Sequence, residues 1–260
     1  MAARLNAGPG RVLGTWTQFT DPAFIDLLGA AGYSYTIIDG EHGAFGIETA
    51  AALIRACDAA SVLPFVRVPR GDTSWITKAL DAGAAGIVGP ACESAEEARA
   101  LVAATRFAPE GTRGACPIVR AARHSLRDWS ATAQAQRGVE SIALIETPRG
   151  VEACESIAAV PGLSGLMVGP FDLSVALGRN GNLEHADVQA AIARVLEAAR
   201  HGGVAAWMPV FAVDRSMLQA QLERWSLLGV RHFVVGADKI IAGRALAEYL
   251  AWAASAPPSA

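Results

Sequence analysis

Lysine is nearly missing from this 260-residue chain: only Lys78 and Lys239 occur among 22 basic residues. Lys78 falls in a helical pattern and Lys239 opens the last one, so chemistry that needs a strand-borne amine lacks its nucleophile. The four cysteines, Cys57, Cys92, Cys116 and Cys154, are too scattered for a zinc ribbon or a redox pair, and read as free thiols in a reducing compartment. A formal charge of −3 leaves no basic footprint for nucleic acid. No apolar run reaches the roughly 20 residues that span a membrane, and Met1 to Ala7 lacks the apolar core of a signal peptide. A soluble cytoplasmic protein is expected. No P-loop and no nucleophile elbow occur, and Gly8-Pro9-Gly10 lacks dinucleotide-binding spacing and reads as a flexible lead-in. The scattered tryptophans fit packing better than a base-stacking platform.

What is present is apolar material, 52% of the chain, arranged as short β-type runs alternating with longer helical patterns. Strands are predicted at 12–16, 35–39, 64–68, 86–89, 142–146, 165–168, 205–210 and 232–236. Helices follow at 22–31, 47–60, 73–82, 94–105, 149–159, 186–201, 214–228 and 239–253. Asp21 and Asp72 supply N-caps, and Gly32, Gly83 and Gly229 sit where helices should stop. Eight such units close a (β/α)8 TIM barrel, α/β in class, expected as a single domain over 1–260 with its core at about 12–253. One long irregular stretch, 106–138, is expected to reach a neighbouring subunit or cover the rim. The tail Ser255 to Ala260 is expected to fray.

In that fold chemistry gathers where strands end. Strand two ends in Asp39-Gly40-Glu41-His42, strand three carries Arg67, strand five closes on Glu146, and Asp172 follows strand six. Each has an ordinary alternative: Asp39 a turn acid before glycine, His42 a loop histidine, Asp172 a cap. Arg67 is harder to dismiss, because a guanidinium inside a strand is costly unless an anion meets it. Glu146 likewise ends four apolar residues. One site at the barrel mouth is more economical than four coincidences, and two carboxylates there could hold a hard divalent cation with room for water and substrate.

These residues resemble the HpcH/HpaI aldolase family: Ile38-Asp39-Gly40-Glu41-His42, Val66-Arg67, Ile145-Glu146-Thr147 and Val168-Gly169-Pro170-Phe171-Asp172-Leu173-Ser174. Further matches are Arg106, Pro109, Gly111, Arg113 and Gly114 in the long stretch and Ser94 to Ala98 on the fourth helix. The resemblance runs from about Leu13 to Leu246. It implies a metal-dependent aldolase that cleaves or forms the C3–C4 bond of a 4-hydroxy-2-oxo acid, giving pyruvate or a close 2-oxo acid and an aldehyde. Glu146 and Asp172 would bind Mg²⁺, Mn²⁺ or Co²⁺, Arg67 would stabilise the transition state, and His42 would be the acid/base. Asp39 would orient or polarise His42. Asp81 matches an acid that raises the histidine's basicity, yet it lies late on the third helix and could reach a histidine only across a subunit contact. That fits the homo-oligomers, hexamer or trimer, implied by the resemblance, with the last helix at a subunit interface. Trp16, Gly169, Pro170 and Phe171 would line the substrate site.

Two positions depart from the family pattern. Leu144 stands where a glutamine is usual, which removes an amide, and Phe171 stands where an alanine is common, which puts a phenyl ring beside a metal ligand and favours a small or apolar acceptor, or blocks one. Another metal–enolate lyase, either a 2-oxo-diacid decarboxylase or an acyl-CoA lyase, stays open, as does a non-catalytic 2-oxo-acid-binding barrel.

Overall fold

A computed structural model describes residues 10–126 and 128–255. The expectations for the lead-in at 8–9, the first seven residues and 256–260 lie outside them. Eight parallel strands close on themselves in sequence order: β1 (Val12–Thr17), β2 (Tyr35–Asp39), β3 (Leu63–Arg67), β4 (Gly86–Gly89), β5 (Glu140–Ile145), β6 (Gly165–Val168), β7 (Ala205–Val210) and β8 (His232–Ala237). The surrounding helices are α1 (Pro22–Ala31), α2 (Ile47–Ala59), α3 (Thr73–Ala82), α4 (Ala95–Thr105), α5 (Trp129–Gln136), α6 (Pro148–Ala158), α7 (Pro170–Ala176), α8 (Ala186–Gly202), α9 (Arg215–Leu227) and α10 (Asp238–Ser255). This is the (β/α)8 barrel read from the sequence.

Local chemistry sets the helix limits. Asp21 accepts the N–H of Ala23 ahead of α1, and Asp72 those of Ser74 and Trp75 ahead of α3. Both helices end on a left-handed glycine, Gly32 at φ 87° and Gly83 at φ 107°, which spares a side chain the clash of that conformation. The stretch 106–138 is less irregular than its breakers suggested. It holds a 3-10 turn, Arg120–Ser125, and α5, which Asp128 caps by accepting from Ser130 and Ala131. The apolar pattern of α5 is weak, with Thr132 its only buried residue, so periodicity did not reveal it. α7 was also unforeseen. Gly169-Pro170 reads as a breaker, yet proline is favoured in the first turn, where its missing N–H would have had no partner.

Side chains alternate across each strand, and in a closed barrel one parity points inward. Tyr35, Ile37, Phe65, Ile142, Leu144, Met167, Trp207 and Val234 fill the interior as one cluster. Their neighbours Ile38, Val66, Ala143 and Ile145 pack outward under the helices. Tyr35, Phe65 and Trp207 meet edge to face at 5.0–5.7 Å between ring centroids and plug the lower barrel. Counting upward by two from Tyr35, Phe65 and Ile142 reaches Asp39, Arg67 and Glu146.

α10 differs from the other long helices. Asp238 is its one buried residue, while Leu246, Tyr249, Leu250 and Trp252 stand exposed. No helix among the described residues is long and apolar enough to cross a membrane.

Candidate active site

The C-terminal mouth of the barrel opens into a cavity of about 450 Å³ lined by Trp16, Gln18, Asp39, His42, Arg67, Leu144, Glu146, Gly169, Pro170, Phe171 and Asp172 among others. All the site residues singled out from the sequence therefore line one cavity except Asp81. That residue, on α3, pairs with Arg113 at 2.8 Å and does not line the cavity.

Asp39 and Arg67 face each other in register on β2 and β3. Arg67 donates through Nε to Oδ1 of Asp39 at 2.9 Å and through Nη2 to Oδ2 at 2.7 Å, a two-pronged pair with both residues buried. Oδ1 also accepts the main-chain N–H groups of Glu41 and His42, each at 3.2 Å. Oδ2 takes the amide of Gln18 at 2.8 Å. Asp39 thus holds the backbone of His42, while its side-chain partners are Arg67 and Gln18. Burial alone would raise the carboxyl of Asp39, but the Arg67 guanidinium, the Gln18 amide and the His42 N–H together outweigh burial and hold it below the ordinary aspartate value. The third edge of Arg67, Nη1, lies 3.3 Å from Glu41, and its plane covers Trp16 at 4.6 Å. His42 is exposed at the cavity edge.

Glu146 sits one residue beyond β5 and is 9% exposed. Its Oε1 accepts the N–H of Ala91 at 2.7 Å. Ala91 holds a left-handed φ of 45°, a strain that persists where the surroundings impose it. Gly169 makes the room on the other side: a Cβ there would lie 2.5 Å from Cβ of Glu146 and 2.9 Å from Oε2. Burial pushes the Glu146 carboxyl up to about 7; the Ala91 N–H opposes this and the charge of Asp172 adds to it. Asp172 stands exposed in the first turn of α7.

Among the described residues no three His, Cys, Asp or Glu side chains gather as a ready-made metal cluster. Glu146 and Asp172 nevertheless fit a hard divalent ion. They are oxygen donors, they repel one another, and a magnesium-type ion commonly takes only one or two carboxylates and keeps its other positions for water and substrate.

Several residues in or beside the cavity escaped the sequence reading. Gln18 lies two places after Trp16, so strand parity could have found it. Glu41 was visible only as a neighbour of Asp39, and the Ala91 N–H carries no sequence signal. Lys239 lines the rim from the first turn of α10. Phe171 is 57% exposed, with its ring 3.4 Å from where a Cβ on Gly181 would stand, so it leans toward the loop after α7.

A family profile described as HpcH/HpaI aldolase/citrate lyase matches residues 13–230. A hydroxypyruvate/pyruvate aldolase of Roseovarius nubinhibens is 35% identical over 242 residues, 92% of this chain and 91% of its own. A 5-keto-4-deoxy-D-glucarate aldolase of Escherichia coli is 36% identical over 231 residues, 87% of this chain and 86% of its own. Among solved structures, an HpcH/HpaI aldolase/citrate lyase family protein from Burkholderia cenocepacia superposes with a TM-score of 0.88 at 36% identity, covering 98% of each chain.

Proposed function

The chain belongs to the HpcH/HpaI aldolase/citrate lyase family, whose members are lyases, and from that premise we propose that it cleaves or forms the C3–C4 bond of a 4-hydroxy-2-oxo acid, with pyruvate or a close 2-oxo acid and an aldehyde as the other reactants. The observation that carries this reading is the meeting of Glu146, Asp172, Arg67 and His42 at one cavity.

Glu146 and Asp172 would hold Mg²⁺, Mn²⁺ or Co²⁺. When bound, such an ion supplies Lewis acidity toward the enolate that C–C cleavage releases. Arg67 adds a fixed positive charge there. Asp39 occupies two of its edges, so the Nη1 edge is the one turned to substrate, and Glu41 beside it keeps that edge in place. In the cleavage direction His42 takes the proton from the C4 hydroxyl as the aldehyde departs, and in condensation it returns that proton to the new alkoxide. Asp39 acts on this step indirectly, by fixing Arg67 and the main chain of His42. Leu144, nearly fully buried, floors the cavity and contributes no polar contact.

The exposed apolar face of α10 is assigned to contact between copies of the chain, because isolated Leu246, Tyr249, Leu250 and Trp252 on one helix form a patch that monomers avoid. Asp81, held outside the barrel by Arg113, would then reach only the histidine of a second copy.

Incubation with 4-hydroxy-2-oxo acids and Mg²⁺ or Mn²⁺, with lactate dehydrogenase reporting pyruvate, is expected to show turnover that EDTA abolishes. Turnover that survives complete chelation would overturn the assignment of Glu146 and Asp172.

A further inference from the structure

Gln18 is the one side-chain amide on the cavity wall, and its orientation is fixed by chemistry. A carboxylate only accepts, so the atom 2.8 Å from Oδ2 of Asp39 must be the amide nitrogen. The amide oxygen therefore points the other way, and it receives no hydrogen bond from any described residue. The main chain is equally constrained, because the N–H groups of Gln18 and Phe19 both donate to the buried carboxylate of Asp238, at 2.5 and 2.6 Å. A half-buried acceptor, held at both ends and left unmatched in a pocket, is paired in the working state by water or by substrate.

Its place next to Arg67 narrows the partner. Nη2 of Arg67 and Nε2 of Gln18 share the same oxygen of Asp39, at 2.7 and 2.8 Å, so the two side chains lie side by side. Arg67 is all donor and Gln18 here presents an acceptor. Two neighbouring substrate oxygens, one carrying negative charge and one carrying a proton, would match them. A 2-oxo acid with a hydroxyl on the carbon beside its keto group has that pattern: the keto oxygen becomes the enolate that meets Arg67, and the adjacent O–H can donate.

Resting on the aldolase reading above, we infer that Gln18 is a specificity-determining residue whose amide oxygen accepts a hydrogen bond from a hydroxyl on the nucleophilic carbon, so that the site favours 3-hydroxylated 2-oxo acids such as hydroxypyruvate over pyruvate as the donor. The other acceptor-only groups on the wall are the carboxylates: Asp39 is already filled by donors, and Glu146 and Asp172 are assigned to the metal ion, which leaves the Gln18 oxygen for substrate. The opposite arc, formed by Pro209, Phe211, Ala237 and Ile240 from β7, β8 and α10 with Leu183 from the α7–α8 connection, is apolar.

The test measures kcat/KM for hydroxypyruvate and for pyruvate in condensation with propanal, an acceptor without a hydroxyl, using the metal-loaded full chain. Gln18→Met keeps the length and removes the acceptor. The ratio of the two kcat/KM values is expected to fall roughly tenfold, mainly through KM for hydroxypyruvate, in line with the loss of one neutral hydrogen bond. Any loosening of Asp39 or Arg67 lowers both donors together and leaves the ratio alone. A ratio within about twofold of the parent protein overturns the inference, whatever the absolute loss. If the parent protein condenses pyruvate but shows no preference for hydroxypyruvate, the inference fails while the aldolase reading stands; if it condenses neither donor, both fall.

Discussion

Asp39→Asn tests the best-defined interaction of the site, because it changes one atom and conserves shape. Every partner of Asp39 is a donor: Arg67 Nε and the two main-chain N–H groups at Oδ1, Arg67 Nη2 and the Gln18 amide at Oδ2. Whichever way the new amide turns, its NH₂ must face donors. Arg67 then keeps only Glu41, at 3.3 Å, and the face of Trp16. Breaking a buried ion pair from one side costs about 3–5 kcal/mol. The surviving Glu41 contact and the cavity water place this case near the lower end, at about 3 kcal/mol, which for a chain of this size lowers Tm by roughly 6–12 °C. The sign with pH is fixed too. The folded Asp39 carboxyl sits below its ordinary value of 3.8, so its stabilisation is fully present above that value and is lost as pH falls below it. The melting temperatures of parent and variant should therefore converge on acidification. Asp39→Asn with Arg67→Met removes both sides of the pair and is expected to recover part of the loss. A single variant melting within about 2 °C of the parent at pH 7, or a double variant no more stable than the single, would refute the reasoning.

Three other perturbations separate the remaining parts of the site and barrel. Gly169→Ala should weaken Mn²⁺ binding by roughly tenfold or more in a calorimetric titration, because its Cβ would press within 2.5–2.9 Å of Glu146; Gly114→Ala, with nothing within 4 Å, is the matched control. Glu146→Gln should lose Mn²⁺ affinity whereas Arg67→Ala should keep it and lose turnover, and equal metal loss in both would contradict the division of roles. His232, stacked on Trp207 at 4.6 Å in the barrel floor, is held neutral by burial and then by Arg231, from 6.5 down to about 4. Its contribution is full above pH 6.5 and is lost as pH falls toward 4, up to about 3 kcal/mol. In pH-dependent melting, His232→Phe should flatten that slope, and an unchanged slope would count against it.

The sequence exposed the barrel because its signals are periodic and local. Strands β2, β4, β6 and β7 and helices α1 and α3 fall at the limits read from apolar runs, aspartate caps and terminal glycines. Position at the strand ends then carried the reading into the site, since Asp39, Arg67 and Glu146 each stand where a strand finishes. What escaped is what that position does not encode. The N–H of Ala91 reaches Glu146 from a left-handed backbone turn, and the pairing of Gln18 with Asp39 joins residues at the ends of different strands. The site of Asp81 was legible in part: its late position on α3 already argued against its own barrel mouth, but nothing local pointed to Arg113 as its partner.

The scarcity of lysine and the surplus of carboxylates at the mouth are connected. Asp39, Glu41, Glu146 and Asp172 share the mouth with one guanidinium, and Asp39 and Glu41 are the two that pair with it. Burial and then the charge of Asp172 raise the cost of ionising Glu146, the more distant charge of Arg67 only partly offsets this, and among the described residues no basic side chain forms an ion pair with Glu146 or Asp172. A lysine placed between them would settle that charge permanently and close the position to anything exchangeable. Lys239, the lysine that lines the cavity, stays exposed at the rim on α10. The unbalanced pair is therefore suited to a counter-charge from outside the chain, and a divalent ion is the one counter-charge that can also polarise a 2-oxo acid while it sits there.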